Sequence, residues 1–493
     1  MIRLLTVIGL AILSMTMASA QDTMRVSLEE VIALSRQEAP DVKIAQTAIK
    51  NDYWRYQSFL ANYKPQISLT ATLPNLNRSI QTITLPDGSD AFIDRALMTN
   101  SLGLRIDQDI ALTGGSVFAI TGLERIDGFM TANNPRSISY LSTPAAIGFT
   151  QPLFGFNRLR WDKEIRPLEY EEAKRGYSED MAEVAYQSAV LFFDVLFAQL
   201  NLEAALRDKE DADTLLAISR GRYEVGRIAE TELLQVELNA MNADADVAAN
   251  QLNLQTSTEQ LRNFLGIKQA TFFVPVTPDE LPVFDIDADQ ALSLARKHRS
   301  EAVQFERRLR EAERQMAQAR GQTGPEITIS GFFGLSQTAN QLGDAYVDPL
   351  DQERLNIGLE VPIADWGKDQ SEREIARSNR ELTQLQVEQN RVNFEREIIV
   401  KVQQFSLQRN QVELARRAYD VAKRQLGITR KRYRIGKIGI TELNVSISAE
   451  ASARTAYIQA LRNFWLAYYD LQRITLYDFE NQQSLQQPLP KVR

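Results

Sequence analysis

The chain has 493 residues, 44% of them hydrophobic and 24% charged, a composition typical of folded rather than disordered proteins. Its formal net charge of −8 argues against a nucleic-acid partner, because binding to a phosphate backbone requires a basic surface. The sequence has no Cys and a single His, which excludes disulfides, thiol nucleophiles, iron–sulfur clusters and zinc sites built from several histidines. That residue, His298, lies in a basic run, and we expect it to be a solvated helix residue.

The N-terminus has the pattern of a secretory signal. Arg3 precedes a short apolar stretch, and Ala18-Ser19-Ala20 matches an A-x-A cleavage motif. We therefore expect residues 1–20 to be removed, so that the mature chain begins at Gln21. No later segment offers about 18 consecutive apolar residues, so the sequence predicts no transmembrane helix. An exported chain of this kind is then either soluble or inserted as a β-barrel.

The mature chain opens with a predicted helix followed by strands. Ser27 and Glu30 form a capping box before an apolar-periodic run that reaches about residue 61, and Pro65 ends it. Alternating polar and apolar residues then predict strands at about 66–73, 101–110, 116–123 and 146–153, and later at 326–333 and 355–363. Such alternation suits a barrel wall with one lipid face and one wet face, and it suits a half-buried soluble sheet equally well.

Two helical runs, at about 161–223 and 368–433, are unusually long. At 1.5 Å per residue each would extend roughly 90–100 Å. The second run has two ladders of apolar residues at every seventh position: Ile398, Phe405, Val412, Tyr419, Leu426 and Tyr433, and Val400, Leu407, Leu414, Val421 and Ile428. The ladders lie about 200° apart around the helix. Because a two-stranded coiled coil needs one apolar seam, two seams predict neighbours on both flanks, as in a closed palisade of helices. A large helical-bundle core is the alternative.

Each long run ends in a similar tip, at 222–233 and 432–443. Gly226 and Gly436 can adopt positive φ without a steric cost, which allows a tight helix reversal.

We expect Thr231 and Thr441 to cap the helices that return from these tips. Glu232 and Glu442 would then lie at the positive helix ends, where a carboxylate is favoured.

The mature chain contains an internal sequence repeat. At an offset of 260 residues Pro65 matches Pro325, and at an offset of 210 residues Gly148 matches Gly358. The two offsets differ by 50, so the first copy carries about 50 extra residues between Pro65 and Gly148. Self-similarity on this scale indicates two copies of one structural unit.

This arrangement resembles the TolC-like outer-membrane efflux proteins, over about residues 27–477, and the paired tips are its most specific part. The resemblance implies a mainly α fold with a membrane β-barrel, built from two tandem repeats of helix, strands and long helical hairpin and assembled as a trimeric α/β barrel duct. The family pattern is twelve strands, four from each chain. This chain has about two candidate strands too many, within 81–140, which could form a hairpin outside the membrane, a plug or a larger barrel.

The resemblance also implies a periplasmic gate at the tips. Thr231 and Glu232 fall at the first hairpin's gate positions, Tyr433 at a gate tyrosine, and Glu442 at a position of an acidic ring that favours cations. The chain departs from the family where Ile438 replaces a gate Arg and Val445 an acidic residue, and Lys437 or Arg227 is a candidate replacement for the missing cation. The predicted gate and tip residues are Tyr223, Gly226, Thr231, Glu232, Tyr433, Gly436, Lys437, Thr441 and Glu442.

The predicted organisation has four parts. They are a signal peptide at 1–20; a first repeat at 21–283, with strands at about 66–153 and a hairpin at about 161–267; a second repeat at 284–478, with strands at about 326–363 and a hairpin at about 368–477; and a polar C-terminal tail at 479–493.

The predicted function is passive conduction rather than catalysis. The sequence has no phosphate-binding loop and no acid/base pair placed by spacing, and we expect no cofactor or metal. We expect a homotrimeric channel in the outer membrane lipid that extends into the periplasm and serves efflux or type I-like secretion. An inner-membrane pump would drive transport through a periplasmic adaptor (membrane fusion) protein docked at the tips. The alternatives are a soluble periplasmic coiled-coil spacer or adaptor without a barrel, and a secreted enzyme with a helical domain.

Overall fold

The computed structural model describes residues 22–130, 136–269, 271–278 and 281–491, so the predicted signal peptide lies outside the described residues. In chain order the elements are β1 (Asp22–Val26), α1 (Leu28–Glu38), α2 (Pro40–Ala61), β2 (Gln66–Thr84), β3 (Asp90–Ile110), β4 (Gly115–Gly128), β5 (Ser137–Leu153), α3 (Arg158–Glu224), α4 (Glu230–Phe264), β6 (Thr271–Pro275), α5 (Ala288–His298), α6 (Ser300–Gln322), β7 (Glu326–Ala339), β8 (Leu350–Glu360), α7 (Lys368–Arg434), α8 (Ile440–Thr475), β9 (Tyr477–Asp478) and β10 (Gln483–Ser484).

The chain divides into two compact units. The sheet unit consists of the described residues of 51–172 and 303–391, and the helical unit consists of the described residues of 22–50, 173–302 and 392–491. In the helical unit β1 pairs in parallel with β6, a pairing of two short strands that the sequence did not predict.

The sheet unit contains one antiparallel sheet of six strands in the order β2-β3-β4-β5-β7-β8. Its strands are longer than predicted, and β2 runs to Thr84 rather than to about residue 73. The reason is a bulge between Thr72 and Asn75, where the pairing of β2 with β3 shifts register. Since a bulge moves the following residues to the opposite face, the alternation in the sequence is interrupted although the strand continues.

The predicted extra strands within 81–140 belong to this same sheet. Strands β3 and β4 lie between β2 and β5 in the sheet order and pair with them along most of their length. Of the arrangements left open by the sequence, the structure therefore shows a wider sheet rather than a separate hairpin or plug.

The first predicted helix is two helices. The capping box of Ser27 and Glu30 is confirmed, with both reciprocal hydrogen bonds formed. The helix stops at Ala39, which has an extended ψ of 136°, because the residue before Pro40 is sterically disfavoured in the α conformation. A single helix to residue 61 was therefore wrong. In the second repeat the corresponding helix is also interrupted, at Arg299, where no proline is present. The ψ of Arg299 is 143°.

The prediction that His298 is a solvated residue is also wrong. This residue is only 4% exposed rather than solvated, because it ends α5 on the side that packs against α8. Burial lowers the pKa of the His298 imidazole, and the charges of Lys297 and Arg175 lower it further, whereas a hydrogen bond with the Thr475 backbone opposes the shift. The neighbouring Arg296 and Lys297 are exposed, and Arg296 pairs with Glu395 at 2.5 Å.

The long helices match the predicted runs closely, and α3 and α7 each have 67 residues. Among the described residues, α3 contains one 18-residue window with a mean hydropathy of 1.6, enough by length and composition to cross a membrane. This window was not predicted from the sequence, because its apolar residues are not consecutive. The side chains of Phe192, Phe193 and Leu196 are buried, as in a core helix of a folded protein.

Candidate functional site

One face of the six-stranded sheet is apolar and exposed. The strand register places the following side chains on this apolar face: Ile67, Leu69, Leu102, Leu104, Ile106, Val117, Ala119, Ile147, Phe149, Ile327, Ile329, Phe333, Leu355, Ile357 and Leu359. Both Ile67 and Leu69 are 68% exposed, and no element of the described residues covers them. A soluble sheet would bury such a face against another layer.

The opposite face is polar. It carries the following residues: Gln66, Ser68, Thr70, Thr72, Ser101, Arg105, Asp107, Ser116, Glu124, Thr150, Thr328, Ser330 and Asn356. Arg105 forms an ion pair with Asp107 at 2.8 Å, and its guanidinium lies 4.1 Å from the ring centre of Phe118. An antiparallel sheet that is apolar on one face and polar on the other has the pattern of a wall between lipid and water.

Large apolar side chains also protrude at the edge of the sheet where the strands join the helices. Leu112, Phe154, Ile363 and Trp366 are all highly exposed there, and Trp366 reaches 98%. Trp161, by contrast, is half-buried. Aromatic side chains at such an edge are typical of a membrane–water interface, so Trp366 has the position of an interfacial anchor and Trp161 that of a packing residue.

The two hairpin tips have the same backbone geometry. Gly226 has φ +69° and Gly436 has φ +74°, as the turn prediction required. In each tip the glycine N–H donates to the carbonyl of the residue three before it, at 2.8 Å, and the following N–H donates to the carbonyl five residues before it. This is a Schellman motif, which satisfies the last carbonyls of the incoming helix. The predicted role of both glycines is confirmed by this geometry.

The predicted capping role of the two threonines is wrong. Helix α4 begins at Glu230 with Ala229 at the cap, and α8 begins at Ile440 with Gly439 at the cap, and neither cap forms a side-chain hydrogen bond. Thr231 therefore lies within the first turn of its helix, and Thr441 does so in the second tip. The Schellman turn uses fewer residues than we assumed, so each helix starts two residues earlier. The acidic residues Glu232 and Glu442 do lie in the first turns.

The tips are joined to each other through Tyr433. Its side chain is fully buried, at 0% exposure, in a cluster with Leu215, Val236, Leu426, Ile440 and Leu443. The Tyr433 hydroxyl lies 3.1 Å from the hydroxyl of Ser219 on α3. Arg222 donates to the carbonyls of Tyr433 and Arg434 at 3.2 Å and 3.0 Å. The predicted gate tyrosine is thus held by side chains of the first hairpin.

Behind the tips, an ion-pair network crosses between the two hairpins. Arg430 on α7 pairs with Asp211 on α3 at 2.6 Å and with Asp208 at 3.7 Å. Arg454 on α8 pairs with Asp208 at 3.9 Å and with Glu450 at 3.3 Å. Of these groups, Asp208, Asp211, Arg430 and Arg454 line a cleft of about 500 Å³. Burial raises the pKa of the Asp208 carboxyl, and the two arginines oppose that shift.

The remaining predicted tip residues are at the surface. Tyr223, Lys437 and Glu442 are exposed, and Glu232 is half-buried. Glu442 pairs with Arg432 of its own tip at 3.4 Å.

The sequence did not reveal the roles of Ser219, Arg222, Arg430 and the acidic partners of Arg430. Their contacts join the two hairpins across about 210 residues of sequence. Only Arg222 gave a signal, since it repeats as Arg432 in the second tip.

The two ladders of α7 have different surroundings. In the first ladder Tyr419 is half-buried and the other five members are buried within the helical unit. The members of the second ladder, from Val400 to Ile428, are between 40% and 71% exposed. One apolar flank of this helix therefore packs inside the chain, and the other faces outward.

Comparisons with known proteins agree with this arrangement. The family model described as "Outer membrane efflux protein" matches residues 31–267 and 291–475. No curated protein matches the sequence.

Several solved structures are similar to the chain. One is the CmeC outer membrane channel of Campylobacter jejuni, with 16% identity and a TM-score of 0.65 over 93% of this chain and 87% of that one. Another is a membrane protein from Pseudomonas aeruginosa, with 16% identity and a TM-score of 0.64 over 93% of this chain and 92% of that one. A third is VceC of Vibrio cholerae, with 14% identity and a TM-score of 0.61 over 91% of this chain and 95% of that one. At these identities the likeness shows the fold.

Proposed function

The chain belongs to the outer membrane efflux protein family, and from that premise we propose that three copies form one continuous exit duct through the outer membrane and the periplasm. The predictions of an outer-membrane location, of efflux, and of a fold with two repeats like that of the TolC-like channels are confirmed by the family match and the structural neighbours. The protein is an efflux channel rather than an enzyme. The number of copies, the closed barrel and the gate are our proposals.

The main support for the trimer is the exposed second ladder of α7, from Val400 to Ile428, which we call the outward ladder. A helix with one apolar flank buried in its own chain and a second exposed to water requires a further neighbour. The returning helix of the first hairpin, α4, also presents exposed apolar residues, among them Leu234, Leu238 and Met241. Two different exposed flanks on one protomer favour a head-to-tail contact, and such contacts close into rings when the rotation allows it.

The apolar face of the sheet supports insertion in the outer membrane. A single sheet of six strands has two open edges, and a sheet in lipid must close so that its backbone groups are paired. A barrel shared by several copies would pair the open edges of each sheet and close the wall. The polar face would then line a water-filled lumen, in which Arg105 and Asp107 are charged wall residues. The alternative of a soluble periplasmic spacer leaves the apolar face of the sheet unexplained.

We place the periplasmic gate at the hairpin tips. The support is the contact of Arg222 with the backbone at Tyr433, which holds the second tip against the first. Thr231, Glu232, Thr441 and Glu442 lie in the first turns of the returning helices beside the two glycine turns. Their two carboxylates, repeated in three copies, would make an acidic ring that favours cations. Tyr223 and Lys437 are exposed at the same tips.

Channels of this family work with an adaptor and a pump. We propose that the exposed tips are the surface to which a periplasmic adaptor docks, and that an inner-membrane pump supplies the energy. We also propose the domain bounds given above: a signal peptide at 1–20, repeats at 21–283 and 284–478, and a tail at 479–493. The two sequence offsets and the equal lengths of α3 and α7 support the repeat bounds.

Conductance in planar bilayers tests this function. Full-length protein, expressed with its N-terminal segment and extracted in detergent from outer membranes, is expected to give discrete single-channel steps. The channel should conduct small cations better than anions, because the tips carry the acidic residues. A protein that is recovered without detergent in the soluble periplasmic fraction, and that gives no conductance, would contradict the proposal.

A further inference from the structure

We propose that the outer-membrane wall of this channel has eighteen strands, six from each of three copies, and that it closes by pairing β2 of one copy with β8 of the next. The inference rests on the proposed trimer and goes beyond it, because it identifies the surface that two copies share in the membrane and sets the width of the wall.

The internal repeat identifies the strands that widen the sheet. Pro65 precedes β2 as Pro325 precedes β7, and Gly148 in β5 corresponds to Gly358 in β8. In the second repeat the two corresponding strands, β7 and β8, are direct neighbours. In the first repeat β3 and β4 are inserted between them, and these strands account for most of the extra 50 residues.

Strands β3 and β4 are full members of the wall rather than an appendage. Strand β3 pairs with β4 from Leu97 to Ile110, and the paired residues continue both the apolar and the polar face. Leu102 lies opposite Leu123 on the apolar face, and Ser101 lies opposite Glu124 on the polar face. A plug or an external hairpin would not keep the two faces in register with the neighbouring strands.

The outer strands are open edges that fit each other. Six strands are too few to close on themselves in a membrane, since the smallest outer-membrane barrels have eight. Every neighbouring pair in the sheet is antiparallel, so β2 and β8 run in opposite directions. Because β2 begins at the helical edge of the sheet and β8 ends there, a second copy in the same orientation brings its β8 antiparallel to β2, and the hydrogen-bonding pattern continues unchanged.

The side chains of the two edges are complementary as well. Ile67 and Leu69 on β2 and Ile357 and Leu359 on β8 belong to the same apolar face, so the face would continue across the contact.

The charges of the edges agree with this pairing. The only charged residue of β2 is Arg78, whereas β8 carries the acidic residues Asp351, Glu353 and Glu360 and one basic residue, Arg354. A contact of β2 with β8 pairs a net positive edge with a net negative one, and contacts between like edges would oppose like charges.

The width of such a wall matches the helices that it joins. Four helices of each chain, α2, α3, α6 and α7, connect directly to the sheet, which gives twelve in a trimer. At about 9–10 Å between axes, twelve helices occupy a ring of roughly 110–120 Å. Eighteen strands at about 4.8 Å and a tilt of about 40° occupy roughly 113 Å, which is compatible with a ring of that size.

Disulfide trapping in the outer membrane tests the edge contact, because the protein has no native Cys. Polar-face positions on the two edges are combined in double variants: Ser68→Cys, Thr70→Cys or Thr72→Cys, each with Asn356→Cys. Scanning three positions covers the unknown register between copies. The matched control is Ser101→Cys with Glu124→Cys, two residues directly opposite each other on β3 and β4 of one chain.

After oxidation, at least one edge pair is expected to give dimers and trimers on non-reducing gels and nothing larger, whereas the control pair and the single variants stay monomeric. Electron cryomicroscopy of the unmodified protein in nanodiscs is expected to show eighteen strands and a wall about 1.5 times as wide as one of twelve. A trimer by native mass spectrometry with no edge cross-link in any register, or with twelve strands, would overturn this inference and leave the proposed duct intact. A monomer by mass would overturn both.

Discussion

The guanidinium of Arg222, in the tip of the first hairpin, donates a hydrogen bond to the backbone carbonyl of Tyr433 in the tip of the second, at 3.2 Å. The same guanidinium lies 5.3 Å from the ring centre of Tyr433. Because the acceptor is a backbone carbonyl at the end of α7, the contact fixes the position of the whole second tip. The arginine therefore acts as a link between the two hairpins, and the gate that we propose at the tips would require this link to break when the channel opens.

Replacement of Arg222 by Ala should favour separated tips. Hydrogen bonds from a charged donor contribute about 1.5–3 kcal/mol each when well buried, and Arg222 is half-buried, so we expect a loss of about 1–2 kcal/mol. That corresponds to a roughly 5- to 30-fold higher ratio of open to closed tips. The measurement is the open probability of single channels in planar bilayers.

The matched control for this change is Arg220→Ala. Arg220 pairs with Glu237 at 2.8 Å within the first hairpin and therefore does not join the two tips. Equal open probabilities for Arg222→Ala, Arg220→Ala and the unmodified protein would show that Arg222 is not a link.

Tyr433→Phe should destabilise the helical unit. The change leaves the buried hydroxyl of Ser219 without its partner, which costs about 1–3 kcal/mol for an unsatisfied buried group. Adding Ser219→Ala removes the stranded group, so the double variant should recover most of the loss. The measurement is the thermal midpoint of the detergent-solubilised protein, and a double variant that is less stable than Tyr433→Phe alone would refute the pairing.

Cation preference should weaken when Glu232 and Glu442 are both changed to Gln. The two carboxylates contribute six charges to the mouth of a trimer, and their removal lowers the local cation concentration. Reversal potentials in a salt gradient measure the effect. Glu413→Gln, a change on an exposed side of α7 far from the tips in sequence, serves as the control. If the double variant keeps the selectivity of the control, the acidic ring is not formed by these residues.

Stability should fall as the pH is lowered through the range of the buried histidine. Burial lowers the pKa of His298 in the folded chain, whereas the unfolded chain keeps the ordinary value of about 6.5. Below about pH 6.5 the unfolded state therefore binds more protons than the folded state, and the free energy of unfolding decreases. Above that pH the contribution is fully present.

His298→Gln removes this titration. We expect its thermal midpoint to change less between pH 7.5 and pH 5.5 than that of the unmodified protein, for which the slope includes His298. Identical slopes for the two proteins would mean that the histidine titrates normally in the folded state.

Much of the fold was readable from the sequence because periodic patterns dominate it. The seven-residue ladders of α7 located the helix to within a residue at its end and also distinguished its two flanks before their burial was known. The glycine turns were equally predictable, since positive φ at Gly226 and Gly436 is a local property of the chain.

The features that the sequence did not reveal depend on contacts between distant segments. The bulge at Thr72 breaks the alternation of β2, so its second half resembled a loop. The sequence placed His298 among solvated basic residues, and only the packing of α5 on α8 buries it. Arg222 bonds to the backbone of Tyr433, and Asp211 pairs with Arg430, in each case across about 210 residues of sequence. No spacing within one segment predicts such a contact.

The outward ladder of α7 should be essential for assembly. Leu414 and Val421 are exposed in one chain, and we expect them to be buried against a neighbouring copy. Changing both to Glu would place charges in that apolar contact and should prevent the trimer from forming. The control is Arg409→Glu, a charge change at an exposed position on the same helix, about 120–140° around its axis from both residues.

Native mass spectrometry of the detergent-extracted, full-length protein tests this central claim most directly. The account predicts a mass of three mature chains for the unmodified protein and for Arg409→Glu, and a single chain for the double variant Leu414→Glu, Val421→Glu. A single chain for the unmodified protein, or an intact trimer for the double variant, would contradict it.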